Sequence, residues 1–257
     1  MSSAELLVPN SARTIRRFGV AWRNRVRRSI HDVAVFDLDA GVYRFRYCAG
    51  VETVDGFRPF IGFPHFDRVY ESRRLWPFFD LRVMDRKRPD YPQYVRWLGL
   101  PTDSNRLDIL ARNGGEQKGD SVSLAEAPRV AVDGATAATF IVRGSGYAVR
   151  AYGSTAAVGR LQPGDALGVL HDATNEANPD ALLLTAGGSP IGWIPDLLIE
   201  YGREVAGSGG KVTVVQNNGP DAPWHMRLLV RLVGQVSPDW STFTGGDWPP
   251  LSPSAAE

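Results

Sequence analysis

The side chains best suited to binding chemistry are amides and aromatic rings in the second half of the chain. Asn175 and Asn178 lie three residues apart in a polar segment, where each amide can hydrogen-bond a ligand or close an Asx turn. Aromatic rings in the same half can stack on a nucleobase or pack into a core. The aromatic candidates are Tyr147, Tyr152, Trp193 and Trp224. Together they predict a recognition site for a base or small polar group, with core packing and turn formation as an equal alternative.

Motifs for catalysis, nucleotide hydrolysis and metal binding are missing from the sequence. Gly210-Lys211-Val212 has neither the earlier glycine nor the Ser/Thr of a phosphate-binding loop, and Gly144-Ser145-Gly146 is not followed by the third glycine of a dinucleotide fingerprint. One cysteine, Cys48, and four scattered histidines show no zinc-ligand spacing. We therefore expect no catalytic residue, no metal and no cofactor, and a protein that is not an enzyme.

Positive charge is concentrated in the first half of the chain. Residues 1–128 hold 21 Lys/Arg and 16 Asp/Glu, a net charge of +5, whereas residues 129–257 hold 8 and 12, a net charge of −4. Seven arginines fall between Arg13 and Arg28, and no acidic residue follows them until Asp32. Such a run forms either a phosphate-contacting surface or a solvated strand and turn, and the second interpretation is favoured. The candidate basic strip is Arg23, Arg25, Arg27 and Arg28.

Apolar spacing in the first half changes from a strand pattern to a helix pattern. In residues 43–47 (YRFRY) three aromatics share one face and two arginines the other, which predicts a half-buried hairpin strand. Farther on, a helix is expected to begin at Thr102 or Asp103 and to stop at Asn113-Gly114-Gly115. The predicted elements are strands near 18–22, 33–36 and 43–47 and helices near 77–84, 94–98 and 103–113. These elements predict an α+β first half.

The second half reads as a succession of short strands between Gly, Pro, Asn and Asp turns, the pattern of a small barrel. One helix is expected, from Pro195-Asp196 to about Gly207. The last predicted strand places His225 and Arg227 on the face opposite its apolar residues, which makes that face partly basic. The strands are predicted over residues 139–142, 166–170, 181–185, 191–194, 211–216 and 224–233.

The fold class predicted for the whole chain is α+β, in two modules. The expected divisions are a flexible tail over 1–12, an α+β module over 13–126, a linker over 127–138, a mostly-β, OB-like barrel over 139–236 and a flexible tail over 237–257. Hydrophobic residues make up 43% and charged residues 22%, as in ordinary globular proteins. Without an apolar run of about twenty residues, a secretory signal or a second cysteine, we expect no membrane partner and a cytoplasmic location.

Four segments of the second half resemble the HIRAN domain: residues 161–165 (LQPGD), 171–182 (HDATNEANPDAL), 191–195 (IGWIP) and 223–226 (PWHM). The resemblance covers about residues 139–236. It implies a small OB-like barrel, found alone in bacteria or fused to chromatin-remodelling helicases, whose best-understood example grips the 3′ end of single-stranded DNA. It further implies that Asn175 and Asn178 approach the terminal nucleotide and that Tyr147 stacks on it.

Two departures from this family remove positive charge. Gly146 stands where the DNA-end binder has a basic residue, and Pro195-Asp196 replaces lysines after the glycine of Ile191-Gly192. The loss of two phosphate contacts agrees with the net charge of −4, because Lys and Arg supply most nonspecific nucleic-acid affinity. The resemblance therefore implies a site better suited to a base or small polar group than to a phosphate backbone.

The first half is more distantly similar to the first N-terminal subdomain of HipA-type toxin kinases. The matching residues are 43–47 (YRFRY), 60–64 (FIGFP), 76–79 (WPFF), 109–115 (ILARNGG) and 118–119 (KG). In those kinases this subdomain is a non-catalytic lid and partner surface. The kinase core is replaced here by the predicted barrel, so no phosphoryl transfer is implied.

Two functions are compatible with these observations. The first is a non-enzymatic nucleic-acid-binding protein, in which the barrel recognises single-stranded DNA or RNA ends or exposed bases and the basic module adds attraction. Its predicted site residues are Tyr147, Tyr152, Asn175, Asn178, Trp193, Trp224, His225 and Arg227, with the basic strip. The alternative is a protein-interaction or regulatory module of the toxin–antitoxin or phage-defence type, which binds a protein partner and no nucleic acid.

Overall fold

The structure, a computed structural model, describes residues 15–117 and 119–251. Residues 1–14, with the predicted tail over 1–12, lie outside this part of the chain, as do Lys118 and residues 252–257. Within it, helices and two antiparallel sheets form the α+β fold that the sequence predicts.

The N-terminal sheet begins with a long hairpin. Its strands β1 (Arg16–Arg23) and β2 (Ile30–Asp39) pair antiparallel, and the rings of Phe18 and Phe36 stack across the pair with their centroids 4.5 Å apart. The other strands are β3 (Val42–Tyr47), β4 (Tyr70–Ser72) and β5 (Val122–Glu126), and the sheet order is β4-β3-β2-β1-β5.

Strand β3 confirms the predicted division between an aromatic and a basic face. Phe45 is fully buried and its ring lies 4.0 Å from that of Phe63, at the centre of an aromatic core. On the other face Arg46 donates to Asp37 at 2.9 Å. The alternation of residue types alone therefore sets the orientation of this strand.

The helices of the first half cover the aromatic core. They are α1 (Pro77–Asp80), α2 (Tyr91–Trp97) and α3 (Arg106–Asn113). The N-cap of α3 is Asn105 rather than the predicted Thr102 or Asp103, because the Asn105 side chain accepts from the backbone N–H of Asp108. Gly114 ends this helix as predicted, with φ at 71°. No helix in the described part of the chain is long and apolar enough to cross a bilayer.

The second half contains a six-stranded antiparallel sheet in the order β6-β11-β10-β7-β8-β9. Its strands are β6 (Ala135–Ile141), β7 (Ala166–His171), β8 (Leu182–Ala186), β9 (Ser189–Trp193), β10 (Lys211–Asn217) and β11 (Leu228–Gln235). Strand β6 begins inside the segment that was predicted to be a linker. Three helices accompany the sheet: α4 (Ser145–Tyr152), α5 (Thr155–Arg160) and α6 (Ile199–Gly207).

The prediction of a single helix in this half is therefore wrong. The predicted helix corresponds to α6 with the 3₁₀ turn before it, whereas α4 and α5 were not expected. Each is short, and α4 lies between two glycines with positive φ, Gly144 and Gly153, which read in the sequence as loop signals.

The six-stranded sheet does not close into the predicted barrel. Strands β6 and β9 are its two edges, and their ladders do not continue into each other. One bridge joins them just beyond β6, where the backbones of Arg143 and Trp193 exchange two hydrogen bonds of 2.8 Å. The architecture is thus an open, barrel-like sheet whose ends meet at a single point.

The start of the last strand also differs from its prediction. Trp224 to Met226 form a 3₁₀ turn, and β11 begins only at Leu228. Asn218 holds the turn, because its backbone N–H donates to the carbonyl of Arg227 and its side chain donates to that of Met226. Trp224, His225 and Arg227 therefore do not alternate between the two faces of a strand.

The two halves share their hydrophobic cores. The core of the first half includes three residues from the second: Ile141, Met226 and Leu229. The core of the second half includes three residues from the first: Ala21, Val35 and Ala125. Each sheet thus helps to bury apolar surface of the other.

The segment after β11 packs on the N-terminal sheet instead of forming the predicted flexible tail. Phe243 is 3% exposed, and its ring lies so close to Gly19 that a Cβ there would be 2.8 Å away. Farther on, the N–H of Ala49 donates to the carbonyl of Asp247 at 2.8 Å, and Arg17 donates to the carbonyl of Pro249. These contacts attach the described part of the segment to β1 and β3.

Candidate functional site

Helix α4 packs against two tryptophans, at places where glycine leaves room for them: Gly144 just before the helix and Gly146 within it. A Cβ on Gly144 would be 2.7 Å from the Trp193 ring, and one on Gly146 would be 2.9 Å from Cβ of Trp224. Both distances are too short for a real side chain. Trp224 thus occupies the space that a side chain at position 146 would need.

One exposed and two half-buried aromatic rings lie beside this helix. Tyr147 is 62% exposed, and its ring centroid lies 6.0 Å from that of Trp193, which is half-buried. On the other side of α4, the guanidinium of Arg227 lies over the Trp224 ring, 4.3 Å from its centroid. We call Trp193, Tyr147 and Trp224 the aromatic row. Its rings can stack on flat ligands, and Arg227 adds a cation.

The two asparagines are committed to hydrogen bonds within the protein. The Asn175 side-chain oxygen accepts from the backbone N–H groups of Ala177 and Asn178 at 3.0 and 3.2 Å, which is an Asx turn. The Asn178 side chain donates to Asp196 at 3.0 Å and accepts from the N–H of Asp180. The structure thus favours turn formation over ligand recognition for these amides.

Asp172 links the asparagine loop to the aromatic row. Its carboxylate accepts from the Trp193 indole N–H at 2.9 Å and from the Thr174 hydroxyl at 2.7 Å. Partial burial raises the pKa of Asp172, but these two hydrogen bonds and one from Asn175 outweigh that effect and lower it below its ordinary value. The carboxylate is ionised at neutral pH and fixes the Trp193 ring.

The basic strip lies at the tip of the β1–β2 hairpin, beside the asparagine loop. Arg28 reaches Glu176 at 3.4 Å, so the structure brings together two regions that are 148 residues apart in sequence. Arg27 pairs with Asp55 at 2.9 Å. Arg25 donates to Ser121. Two of the four charges are therefore balanced by exposed carboxylates, and the strip is less basic than its sequence indicates.

Negative charge collects around Asp196, the carboxylate that accepts from Asn178. Asp196 lies near Asp32 and Glu200, and Arg23 is the nearest cation among the strip residues. Asp32 is accessible to solvent, yet the surrounding protein and these two carboxylates raise its pKa to about 6. Burial also raises the pKa of Asp196, although Asn178 and Arg23 oppose it. The three carboxylates disfavour phosphate here, and the cations acting on Asp196 are Arg23 and Arg143.

The last two predicted residues do not join the aromatic row. Tyr152 is 51% exposed at the end of α4, five residues after Tyr147 and on another face of the helix. His225 lies on the rim of a cavity of about 200 Å³, together with Arg143 and Glu116. Partial burial lowers the pKa of His225, while Glu116 and Arg143 act on it in opposite directions. The imidazole is neutral at pH 7.

Sequence reasoning missed the cations on α4 and α5. Arg150 is exposed one turn after Tyr147, and Arg160 is exposed at the end of α5. A signal was present, because no Asp or Glu occurs between Asp133 and Asp165. The net charge of −4 for the whole half concealed this locally basic stretch.

The described residues contain no group of three His, Cys, Asp or Glu side chains that could hold a metal ion. Comparison with known proteins adds no relative, because no family model, curated protein or solved structure matches the chain. What the arrangement offers chemically is stacking on exposed rings beside guanidinium groups.

Proposed function

We propose that this protein binds nucleic acid through unpaired bases that stack on the aromatic row. The observation that carries the proposal is Tyr147, a large ring left 62% exposed beside Trp193. Exposed bases stack on such rings with little dependence on sequence, and each stack contributes about 1–3 kcal/mol. Bases paired inside a duplex cannot reach the row, so the ligand is single-stranded DNA or RNA.

The backbone of the bound strand is expected to follow α4 rather than the asparagine loop. Arg227 lies over the Trp224 ring and Arg150 is exposed on α4, whereas Asp172, Asp196 and Glu176 lie on the loop side. Because Asn175 and Asn178 are already hydrogen-bonded, we propose recognition of exposed bases without preference for a 3′ end. The basic strip adds long-range attraction through Arg25, which pairs with no carboxylate among the described residues.

The proposed location is the cytoplasm. The lone Cys48 is buried, and burial together with Asp32 and Asp247 raises its pKa well above the ordinary value, so it is an unreactive core residue.

Fluorescence anisotropy with a labelled oligothymidine tests the binding site. Tyr147→Ala is expected to weaken binding roughly tenfold, the lower part of the range for one lost stack. Tyr152→Ala is the matched control, an equally simple change of an exposed tyrosine on the same helix, and it should leave affinity unchanged. Arg150→Gln should make the salt dependence shallower by about 0.7 in log–log slope, as expected for one lost phosphate contact.

Further ligands separate the alternatives. Duplex DNA should bind weakly, and blocking the 3′ end of the oligothymidine should change nothing. The assignment to the aromatic row is wrong if glutamine replacement of Arg23, Arg25, Arg27 and Arg28 abolishes binding while Tyr147→Ala does not. Absence of binding by every strand at low salt eliminates nucleic acid as the ligand.

A protein-interaction or regulatory module is the second candidate. It is favoured by the ion pairs of Arg27 and Arg28, which neutralise half of the basic strip, and by the acidic group around Asp196. In this case the aromatic row contacts a protein partner, and no nucleic acid binds in the anisotropy experiment.

A further inference from the structure

A cavity of about 390 Å³ separates the two sheets, a volume typical of ligand sites. One wall is the end of β5 and the residues after it, and the facing wall is β6. Pro195 and Leu198 lie between these walls. The cavity therefore occupies the gap between β5 and β6, one strand from each sheet.

The edge of β6 that faces this gap has free backbone groups. Val142 N–H donates to Leu228 on β11, and Val236 N–H donates to Gly134, so every second residue of β6 is turned toward β11. The residues between them point their N–H and C=O groups the other way. Those in the cavity wall are Ala137, Thr139 and Ile141. The N–H of Ala137 faces the Arg129 carbonyl through the bridge between Val130 and Thr136, whereas the N–H groups of Thr139 and Ile141 make no hydrogen bond with any described residue.

Strand β5 contributes a second open edge. Ala127 N–H donates to Arg17 on β1, and odd-numbered residues of β5 likewise turn their N–H and C=O groups toward β1. The even-numbered residues turn these groups outward. Leu124 N–H points outward and is taken by the Gly114 carbonyl, but the N–H of Glu126 makes no such bond with any described residue. Two strand edges with free hydrogen-bonding groups thus line one cavity without pairing to each other.

The charge of the lining is positive. Arg16 already binds Glu126 and Asp108, at 2.6 and 2.8 Å. Arg112 donates only to the carbonyl of Leu98, and the Arg129 side chain makes no hydrogen bond or ion pair with the described residues. Burial lowers the pKa of Arg112 although Asp108 and Glu126 oppose this effect, so its buried charge is incompletely compensated. These two guanidinium groups favour an acidic ligand.

We propose that this cavity binds a short, acidic peptide segment, which adds as an extended strand to the free edge of β6 and pairs its carboxylates with Arg112 and Arg129. Strand addition satisfies the outward backbone groups, and the side chains of the peptide supply specificity. The two free outward residues, Thr139 and Ile141, span three positions, so a pentapeptide is long enough to pair with both of them. The site is separate from the aromatic row and does not depend on nucleic-acid binding.

The probes are fluorescein-labelled acetyl-Val-Glu-Val-Glu-Val-amide, the same peptide with lysine in place of glutamate, and a version with N-methyl groups on alternate residues. The glutamate peptide should bind and the lysine peptide should not. N-methylation, which removes the pairing N–H groups but keeps the charge, should weaken binding at least about tenfold, the loss expected for one or two hydrogen bonds.

Thr139→Pro tests the edge itself. Proline removes an outward N–H and is tolerated on an edge strand, so peptide binding should fall by about tenfold while Thr139→Val keeps it. Arg129→Gln should weaken binding of the glutamate peptide without changing the fold, since this side chain is exposed. If Thr139→Pro does not fold, the N-methylated peptide provides the same test from the side of the ligand.

The proposal is overturned if the glutamate and lysine peptides bind equally well, or if the glutamate peptide does not bind at millimolar concentration. It is also overturned if neither N-methylation nor proline in β6 affects binding. Binding that is lost in Tyr147→Ala but kept in Thr139→Pro would also overturn it, because the peptide would then occupy the aromatic row.

Discussion

Asp32 is an acidic residue on β2 whose neighbours are also acidic. Burial and the carboxylates of Asp196 and Glu200 raise its pKa from 3.8 to about 6. A raised pKa means that the folded state binds the Asp32 proton more tightly than the unfolded state does. Protonated Asp32 therefore favours the folded state at about pH 4 and below. As the pH rises through about 6 the carboxyl ionises, and this contribution to the free energy of unfolding is lost.

We predict that Asp32→Asn stabilises the protein at pH 7 to 8 and has little effect near pH 4. The gain should be at most about 1 kcal/mol, because Asp32 is solvent-accessible and its repulsions are screened. Urea unfolding of both proteins across this pH range measures it. Asp165→Asn is a control outside the acidic group. A constant difference between Asp32→Asn and the parent at every pH would show that charge repulsion is not the cause.

Hydrogen bonding also decides which polar residues are available for ligands. The sequence identified Asn175 and Asn178 correctly as polar loop residues, and it left ligand binding and Asx turns as equal alternatives. Which of the two roles the side chains take depends on hydrogen-bond partners that only the fold brings close. One example is Asp196, eighteen residues from Asn178 in sequence. No local pattern shows this pairing in advance.

At the scale of secondary structure, the predictions succeeded where an element buries one face. Strand β3 and helix α3 have a clear period, and each lies close to its predicted position. The failures are α4, α5 and the 3₁₀ turn at Trp224. Helix α4 packs against Trp193 and Trp224 where Gly144 and Gly146 carry no side chain, and Asn218 holds the turn. Tertiary contacts override weak local preference there.

The bridge between Arg143 and Trp193 depends on a glycine. Gly192 is buried with φ at 141°, where side chains are disfavoured, and a Cβ would lie 2.5 Å from the Arg143 carbonyl oxygen and 2.6 Å from Val142. Because this bridge alone joins the edges of the C-terminal sheet among the described residues, Gly192 also fixes the position of the Trp193 ring beside Tyr147.

Gly192→Ala is expected to lower the free energy of unfolding by more than about 2 kcal/mol, through backbone strain and the clash with Arg143. Gly159→Ala, in α5 with no atom near its added methyl group, should instead raise it by about 0.5–1 kcal/mol. Urea unfolding measures both. Equal effects of the two substitutions would contradict the role given to the bridge.

At the scale of the whole molecule, the two halves bury residues in each other's hydrophobic cores. The predicted linker implied two modules with separate cores. Leu229 lies on β11 of the C-terminal sheet but packs in the core of the first half, near Gly99 at the end of α2. Leu228, its neighbour on the same strand, packs in the core of the second half. Consecutive residues of one strand point to opposite faces, so β11 is a wall common to both cores.

We therefore predict that the halves unfold in one transition. Leu229→Ala and Leu228→Ala should each lower the free energy of unfolding by about 2–5 kcal/mol, since both side chains are fully buried. Hydrogen-exchange mass spectrometry should show faster exchange in β2 and in β8 for either variant, because global opening exposes both sheets. Exposed Leu251→Ala should change neither strand. If Leu229→Ala accelerated exchange in β2 alone, the halves would be independent folding units, and the cavity between them would open without unfolding either sheet.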